Sequence, residues 1–480
     1  MRTVLIATMV SVVASSTTRA QQPPHGGGAP RAGGAHPAAH EMMTGPLGVP
    51  ETRDGSGTAW LPDATPMYAF HVPAGAWRLM LHGNAFLQYI DEGSDRGDRQ
   101  LGSVNWFMAM GHRNLAGGAL ALRAMLSAEP LTVGKCGYPD LLATGELCHG
   151  ERLHDRQHPH DLFMELSARY DRALGRDVAL ELYGAPAGEP ALGPVAYPHR
   201  ISAMAGPLAP IGHHWQDATH ISFGVATAGV YGRKWKLEGS IFNAREPDED
   251  RYDIDLAALD SYAGRLWLLP SENVAVQLST GFLNDAEEAH EPGGRADVHR
   301  STASLTYHRP RAGLSPWATT LVWGQDRAHG LTTNSALLES SAGLSGRDVV
   351  FGRAEWVQKS GDDLALPEDR GLGGRIFPVG KVFVGYVRQF PGRGLLPGIG
   401  AQVDLDFVSS DLAPFYGSTT SAGFAVFASL RPAPMAMEHA AAARPMPAPP
   451  PTEHEHGMHH DGGEAGGYGP GTPPRTQEQP

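Results

Sequence analysis

The chain has 480 residues, a formal net charge of −13 and a pI near 5.9, a balance that argues against nucleic acid as a partner. Its length suits one large barrel or two to three soluble domains, and 60 glycines with 39 prolines suit many turns and long loops. With two cysteines in all, a disulfide-dense scaffold is excluded.

The N-terminus reads as an export signal. Met1-Arg2 precedes an apolar run from Val4 to Val13 and small residues ending Thr18-Arg19-Ala20, so residues 1–20 are expected to be removed after Ala20. That run is too short to cross a bilayer as a helix, and no later stretch approaches the roughly eighteen apolar residues a helix needs. Residues 21–45 are a Gly/Pro/Ala/His segment too poor in apolar side chains to fold. Residues 46–74 are irregular yet carry Trp60, Tyr68 and Phe70, and are expected to be ordered by packing, as a plug at the barrel mouth.

From residue 75 to 431 the dominant pattern is strict alternation. In Trp77–Tyr89 the odd positions hold Trp77, Leu79, Leu81, Leu87 and Tyr89, while the even ones hold Arg78, Met80, His82, Asn84, Phe86 and Gln88. Successive strand side chains point to opposite faces, so one face is apolar with an aromatic at each end and the other is mostly polar. Trp317 and Trp323 bracket another such face; Val403, Leu405 and Phe407 oppose Gln402, Asp404 and Asp406. Acids of this kind are tolerated only toward a wet lumen. The expected fold is all-β: an antiparallel transmembrane β-barrel of about sixteen strands (fourteen to eighteen) with inward plug-like loops. The last strand ends Phe427-Ala-Ser-Leu430 rather than on a terminal aromatic, and the Ala/Pro/Gly/His-rich residues 432–480 are expected to be disordered.

Cys136 and Cys148 lie close together in an exported chain, which predicts a disulfide worth roughly 3 kcal/mol if unstrained. A zinc or copper thiolate site is the alternative.

Histidine carries the chemistry, with 23 copies unevenly placed. The tails hold His25, His36, His40, His439, His454, His456, His459 and His460, beside Met42, Met43, Met435, Met437, Met446 and Met458. Imidazole and thioether together suit copper, so His454, His456, Met458, His459 and His460 are candidate ligands; the bland reading is a low-complexity tail. Within the fold, His154-Asp155-Arg156-Gln157-His158-Pro159-His160-Asp161 would, if extended, place His154, His158 and His160 on one face around Arg156. A second polar stretch holds Tyr197 to Arg200 and His213 to His220. Three readings follow. His154, His158, His160, Asp161, His213, His214 and His220 converge on Cu or Zn, each aspartate orienting an imidazole. They brace a plug through hydrogen bonds, with Arg156 and Arg200 paired to Asp155 and Asp161. Or His154, His158 or His160 is the general base of a hydrolase, a reading weakened because no Gly-x-Ser-x-Gly or helical His-Glu-x-x-His occurs. The acidic run Arg245–Asp255 fits no EF-hand spacing and reads as a solvated loop, and Gly371–Gly374 lacks a nucleotide-binding context.

Gly55-Ser-Gly-Thr-Ala-Trp-Leu-Pro-Asp-Ala-Thr-Pro-Met-Tyr68, His154 to Phe163 and His213 to His220 resemble a family of uncharacterised bacterial outer-membrane proteins, over about Pro46 to Asp285. Members are often associated with metal-efflux and copper-tolerance loci, which implies envelope metal handling; no catalytic assignment comes with the resemblance. The expected function is therefore binding or passage of transition-metal ions, copper favoured, at the outer membrane. Lipid, metal ions or small solutes, a homo-oligomer and periplasmic efflux components are the expected partners. The alternative is a general or solute-specific porin with structural histidines.

Overall fold

The computed structural model describes residues 45–288, 295–390 and 392–434. The strands are β1 Phe70–Ala74, β2 Trp77–Gly93, β3 Arg99–Leu115 and β4 Gly118–Leu126, then β5 Tyr138–Cys148 and β6 Glu151–Gln157. There follow β7 Phe163–Ala173, β8 Ala179–Gly188, β9 Ser222–Tyr231, β10 Trp235–Phe242, β11 Ser261–Ser271, β12 Val274–Glu288 and β13 Arg295–Arg311. The chain continues with β14 Leu314–Ala328, β15 Leu331–Gly343, β16 Asp348–Ser360, β17 Ile376–Gln389, β18 Leu395–Val408 and β19 Thr420–Pro432.

Neighbours pair antiparallel, and β19 returns to β2 from Ala422↔Gly93 to Leu430↔Ala85, which closes the ring. Of the seventeen strands in this sheet, β1 only doubles back on β2, from Phe70↔Leu81 to Ala74↔Trp77; the other sixteen form the barrel. Closure gives every strand two hydrogen-bonded neighbours, the condition for crossing hydrocarbon with strands. Alternation appears as burial: Leu81, Leu87, Phe107, Ile241, Leu321 and Val403 are exposed outside, with Trp317, Trp323 and Trp356 among them. Inside, Lys236, Arg265, Lys359 and Lys381 are fully buried. A soluble protein would place these two sets the other way round. This is a transmembrane β-barrel.

Three chain segments fill the lumen, and buried cations tie each one to the wall. Residues 45–69 enter first: Arg123 donates to Gly57 O at 2.6 Å, Arg265 to Thr58 Oγ1 at 3.0 Å, and Lys236 to Thr58 O. Trp60 and Leu61 pack there against Tyr231 and Trp267. Residues 127–162 contribute α1 (Glu129–Thr132) and the β5–β6 hairpin, a separate two-stranded sheet. Lys359 reaches Leu142 O at 2.6 Å and Lys381 reaches Asp140 at 2.8 Å. Cys136 and Cys148 are joined by a disulfide beside this hairpin, with their Cα atoms 5.4 Å apart. Residues 189–221, with α2 (His213–Gln216), are held by Arg200, which pairs with Asp217 at 2.8 Å and with Glu339 of the wall at 2.7 Å. The expected leader, the N-terminal tail up to residue 44 and the C-terminal tail from residue 435 lie outside the described residues.

Candidate functional site

Proline shapes both segments that build the site. Pro159 forces extended backbone just after β6, so the chain turns away from the hairpin at His158. Pro190, Pro194, Pro198, Pro207 and Pro210 keep residues 189–212 irregular apart from a 3₁₀ turn at Tyr197–His199, until α2 makes one helical turn and Ala218–His220 a second 3₁₀ turn. That turn stacks His213, His214 and His220 against His158 and His160. Gly145, at φ +122°, allows the contact: a Cβ there would lie 2.2 Å from the His214 Nε2.

Five imidazoles result, in an unbroken row. His214 and His158 have ring centroids 5.6 Å apart, His158 and His213 5.9 Å, His213 and His220 5.1 Å, and His220 and His160 5.3 Å. The His213–His214 separation of 5.4 Å closes a triangle with His158. Each ring has its Nδ1 facing an oxygen. His213 bonds Asp217 at 2.7 Å, His160 bonds Glu129 at 3.0 Å, and His220 bonds the Asp217 carbonyl at 2.8 Å. His158 lies 3.2 Å from Glu146, and His214 lies 3.4 Å from Glu246. A carboxylate or carbonyl at Nδ1 holds the proton there and leaves the lone pair on Nε2. In His158, His213, His214 and His220 that Nε2 is buried without a hydrogen-bond partner, whereas His160 Nε2 meets Tyr197 Oη at 3.2 Å.

Charge follows burial. Burial pushes His213 down to about 4 against the pull of Asp217, and drives His158 and His220 well below their ordinary range. For His160 burial alone would do the same, but Glu129 overrides it and raises the ring. Burial lifts Asp161 to about 7 and also raises Glu146, although Arg251 favours both carboxylates. Near neutrality three of the five rings are therefore neutral, the form that ligates metal, each with an oxygen behind it as in protein metal sites. Among the described residues, however, ligand atoms gather within 4.8 Å of one another only at Cys136/Cys148/His149, Glu92/Asp404/Asp406 and Asp248/Asp253/Asp255. The histidine rings are close, but their nitrogens are not gathered.

Several expectations need correcting. His154 does not share a face with His158 and His160: it is 41% exposed and bonds Asp155 and Arg96, because the turn at Pro159 sends the later pair inward. The arginine pairings also differ. Arg156 pairs with Asp98, Arg200 with Asp217 and Glu339, Asp155 with Arg96, and Asp161 with Arg251. Arg251 belongs to the acidic run that read as solvated loop, yet it is buried between Glu146 and Asp161. Glu129, Glu146 and Arg251 are functional neighbours the sequence reading missed; the only trace was one arginine inside an acidic stretch. The candidate tail ligands His454, His456, Met458, His459 and His460 lie outside the described residues.

The barrel is similar to OmpF of Salmonella typhi in complex with daunomycin, at 9% identity and TM-score 0.44, over 75% of this chain and all of that one. It is also similar to the outer-membrane channel DcaP of Acinetobacter baumannii, at 7% identity and TM-score 0.44, over 76% and 100% of the two chains. OprB of Pseudomonas putida aligns at 8% identity and TM-score 0.45, over 74% and 94%. No protein-family model matches the chain, and no curated protein does. The functional reading rests on the chain's own residues.

Proposed function

We propose that the protein is a porin-like outer-membrane channel, narrowed by its own inward segments, that passes small polar or ionic solutes. The inner wall carries the reading. A barrel that served only as an anchor could fill its interior with apolar side chains at lower free-energy cost than buried charges. Here the wall instead offers Arg123, Arg265, Arg353, Lys359 and Lys381 opposite Glu238, Glu339, Asp404 and Asp406. Cavities among the inward segments include spaces of about 90, 40 and 80 Å³, in keeping with a narrowed lumen. Full-length protein in planar bilayers is expected to show low, ion-selective conductance. Lys359→Met, which removes one of the two lysine ties between the hairpin and the wall, should raise it. No conductance and no solute uptake by either protein would overturn the channel reading.

A second reading, metal-ion handling with Cu or Zn, is favoured by one observation: four buried imidazole Nε2 atoms without partners. Replacing His158 and His213 by Gln should then lower Zn²⁺ or Cu²⁺ stoichiometry by one. Unchanged stoichiometry with a lower melting temperature would leave the row as a structural brace.

A further inference from the structure

The chain has 15 methionines, and all seven within the described residues meet in one part of the lumen. Met80, Met108, Met110, Met125 and Met164 are buried together on the inner faces of β2, β3, β4 and β7, with Met67 packed against them. Met204 joins Met67, Met80, Met108 and Met110 around a cavity of about 80 Å³. The other buried apolar clusters, built from residues such as Leu, Val and Phe, contain no buried methionine. Methionine fills irregular gaps well, but gap-filling predicts scattered methionines, not five lining one cavity with Met125 and Met164 packed in the adjoining cluster.

The rest of that cavity is not apolar filler. His199 Nε2 lies 3.3 Å from Met125 Sδ, and His82 Nε2 is buried without a partner. The Trp106 ring packs against both imidazoles, 4.8 Å from His199 and 5.2 Å from His82, which lie 5.9 Å from each other. An aromatic face of this kind attracts a cation. Glu51 and Asp54 also line the cavity, but Asp54 is paired with Arg169 and Arg123 and Glu51 faces Arg78 at 3.5 Å, so the remaining donors are thioethers and imidazoles, a set that matches a soft monovalent ion better than Zn²⁺ or Ca²⁺.

We propose that this cavity binds a soft monovalent metal ion of the Cu(I)/Ag(I) class, using His199 and thioethers of Met80, Met108, Met110 and Met125 as donors with Trp106 beside them. Thioether stays neutral, so binding neither releases nor buries a second charge. The site is separate from the His158–His220 row and does not require the channel to conduct.

Silver nitrate in chloride-free buffer is the probe, titrated into full-length protein in detergent with dialysis and tryptophan fluorescence as readouts. The triple variant Met80→Leu/Met108→Leu/Met125→Leu keeps side-chain volume and should fold, which heat-modifiable gel migration checks. It is expected to bind one Ag⁺ fewer than the parent, or the same number with at least tenfold weaker affinity at the tightest site, with Zn²⁺ binding unchanged. His199→Gln should weaken the same site, and Trp106→Phe should remove most of the silver-induced quenching. If the triple variant binds silver as the parent does, with the same quenching, the methionines are packing only and the proposal is overturned. Should the triple variant not fold, unchanged silver binding by His199→Gln and unchanged quenching in Trp106→Phe overturn it equally.

Discussion

Asp54 shows how one residue fixes an inward segment. It sits after the 3₁₀ turn Glu51–Arg53 and accepts from Arg169 at 2.9 and 3.0 Å and from Arg123 at 3.2 Å. Burial would raise its carboxyl, but the two guanidiniums outweigh burial and hold it well below the usual carboxylate range. A depressed folded-state pKa contributes stability above the unfolded value near 3.9 and loses it as pH falls through the folded value. Anchoring by Asp54 is therefore constant across neutral pH, and Asp54→Asn should loosen residues 45–69 by about 2–3 kcal/mol, the range for a hydrogen bond to charge. Limited proteolysis at pH 7 checks it; an unchanged cleavage rate would refute the anchor. Arg200 is the sharper case. Arg200→Met leaves Asp217 with only His213 and the Tyr197 amide, and Glu339 with Arg353 and Ser202, and should cost about 3–5 kcal/mol in barrel melting. A shift no larger than for an exposed arginine such as Arg388 would show the pair to be solvated.

At the scale of elements, the sixteen barrel strands were legible because one face meets lipid and the other does not. Segments such as Trp77–Tyr89 and Trp317–Trp323 sit inside β2 and β14 as their alternation demanded. The β5–β6 hairpin was not legible. Tyr138 to Ala143 are buried on both faces, so the period-2 signal vanishes where a strand is enclosed within the lumen. The cysteine spacing did reveal that something closed there. Reduction, or Cys136→Ser with Cys148→Ser, should release roughly 3 kcal/mol of local stabilisation and expose residues 134–150 to protease. Heat-modifiable migration of the barrel should not change. Loss of that migration would mean the hairpin is needed for closure.

For the whole molecule, the candidate sites depend on topology that no local window contains. Met67, Met80, Met108, Met125, Met164 and Met204 span well over a hundred residues, and each looks like an ordinary apolar side chain in its own strand or inward segment. Pairing of β2, β3, β4 and β7, with the inward segments that carry Met67, His199 and Met204 folded against them, brings them together with His82. The histidine row was half legible, because its members come from two dense stretches, while the turn at Pro159 that excludes His154 was not. Ring closure separates two kinds of surface, and that separation can be tested on one strand. Val403 and Leu405 of β18 face outward, while Gln402 and Asp404 between and beside them face in. Val403→Arg places a charge in the apolar band and should cost about 2–4 kcal/mol in refolding into vesicles. Gln402→Arg, one residue away, keeps its charge in the polar lumen, so it should refold nearly as the parent does and shift ion selectivity toward anions. Equal refolding losses for both would contradict the alternation that defines the barrel. Refolding as expected with selectivity unmoved would instead place Gln402 off the conducting path.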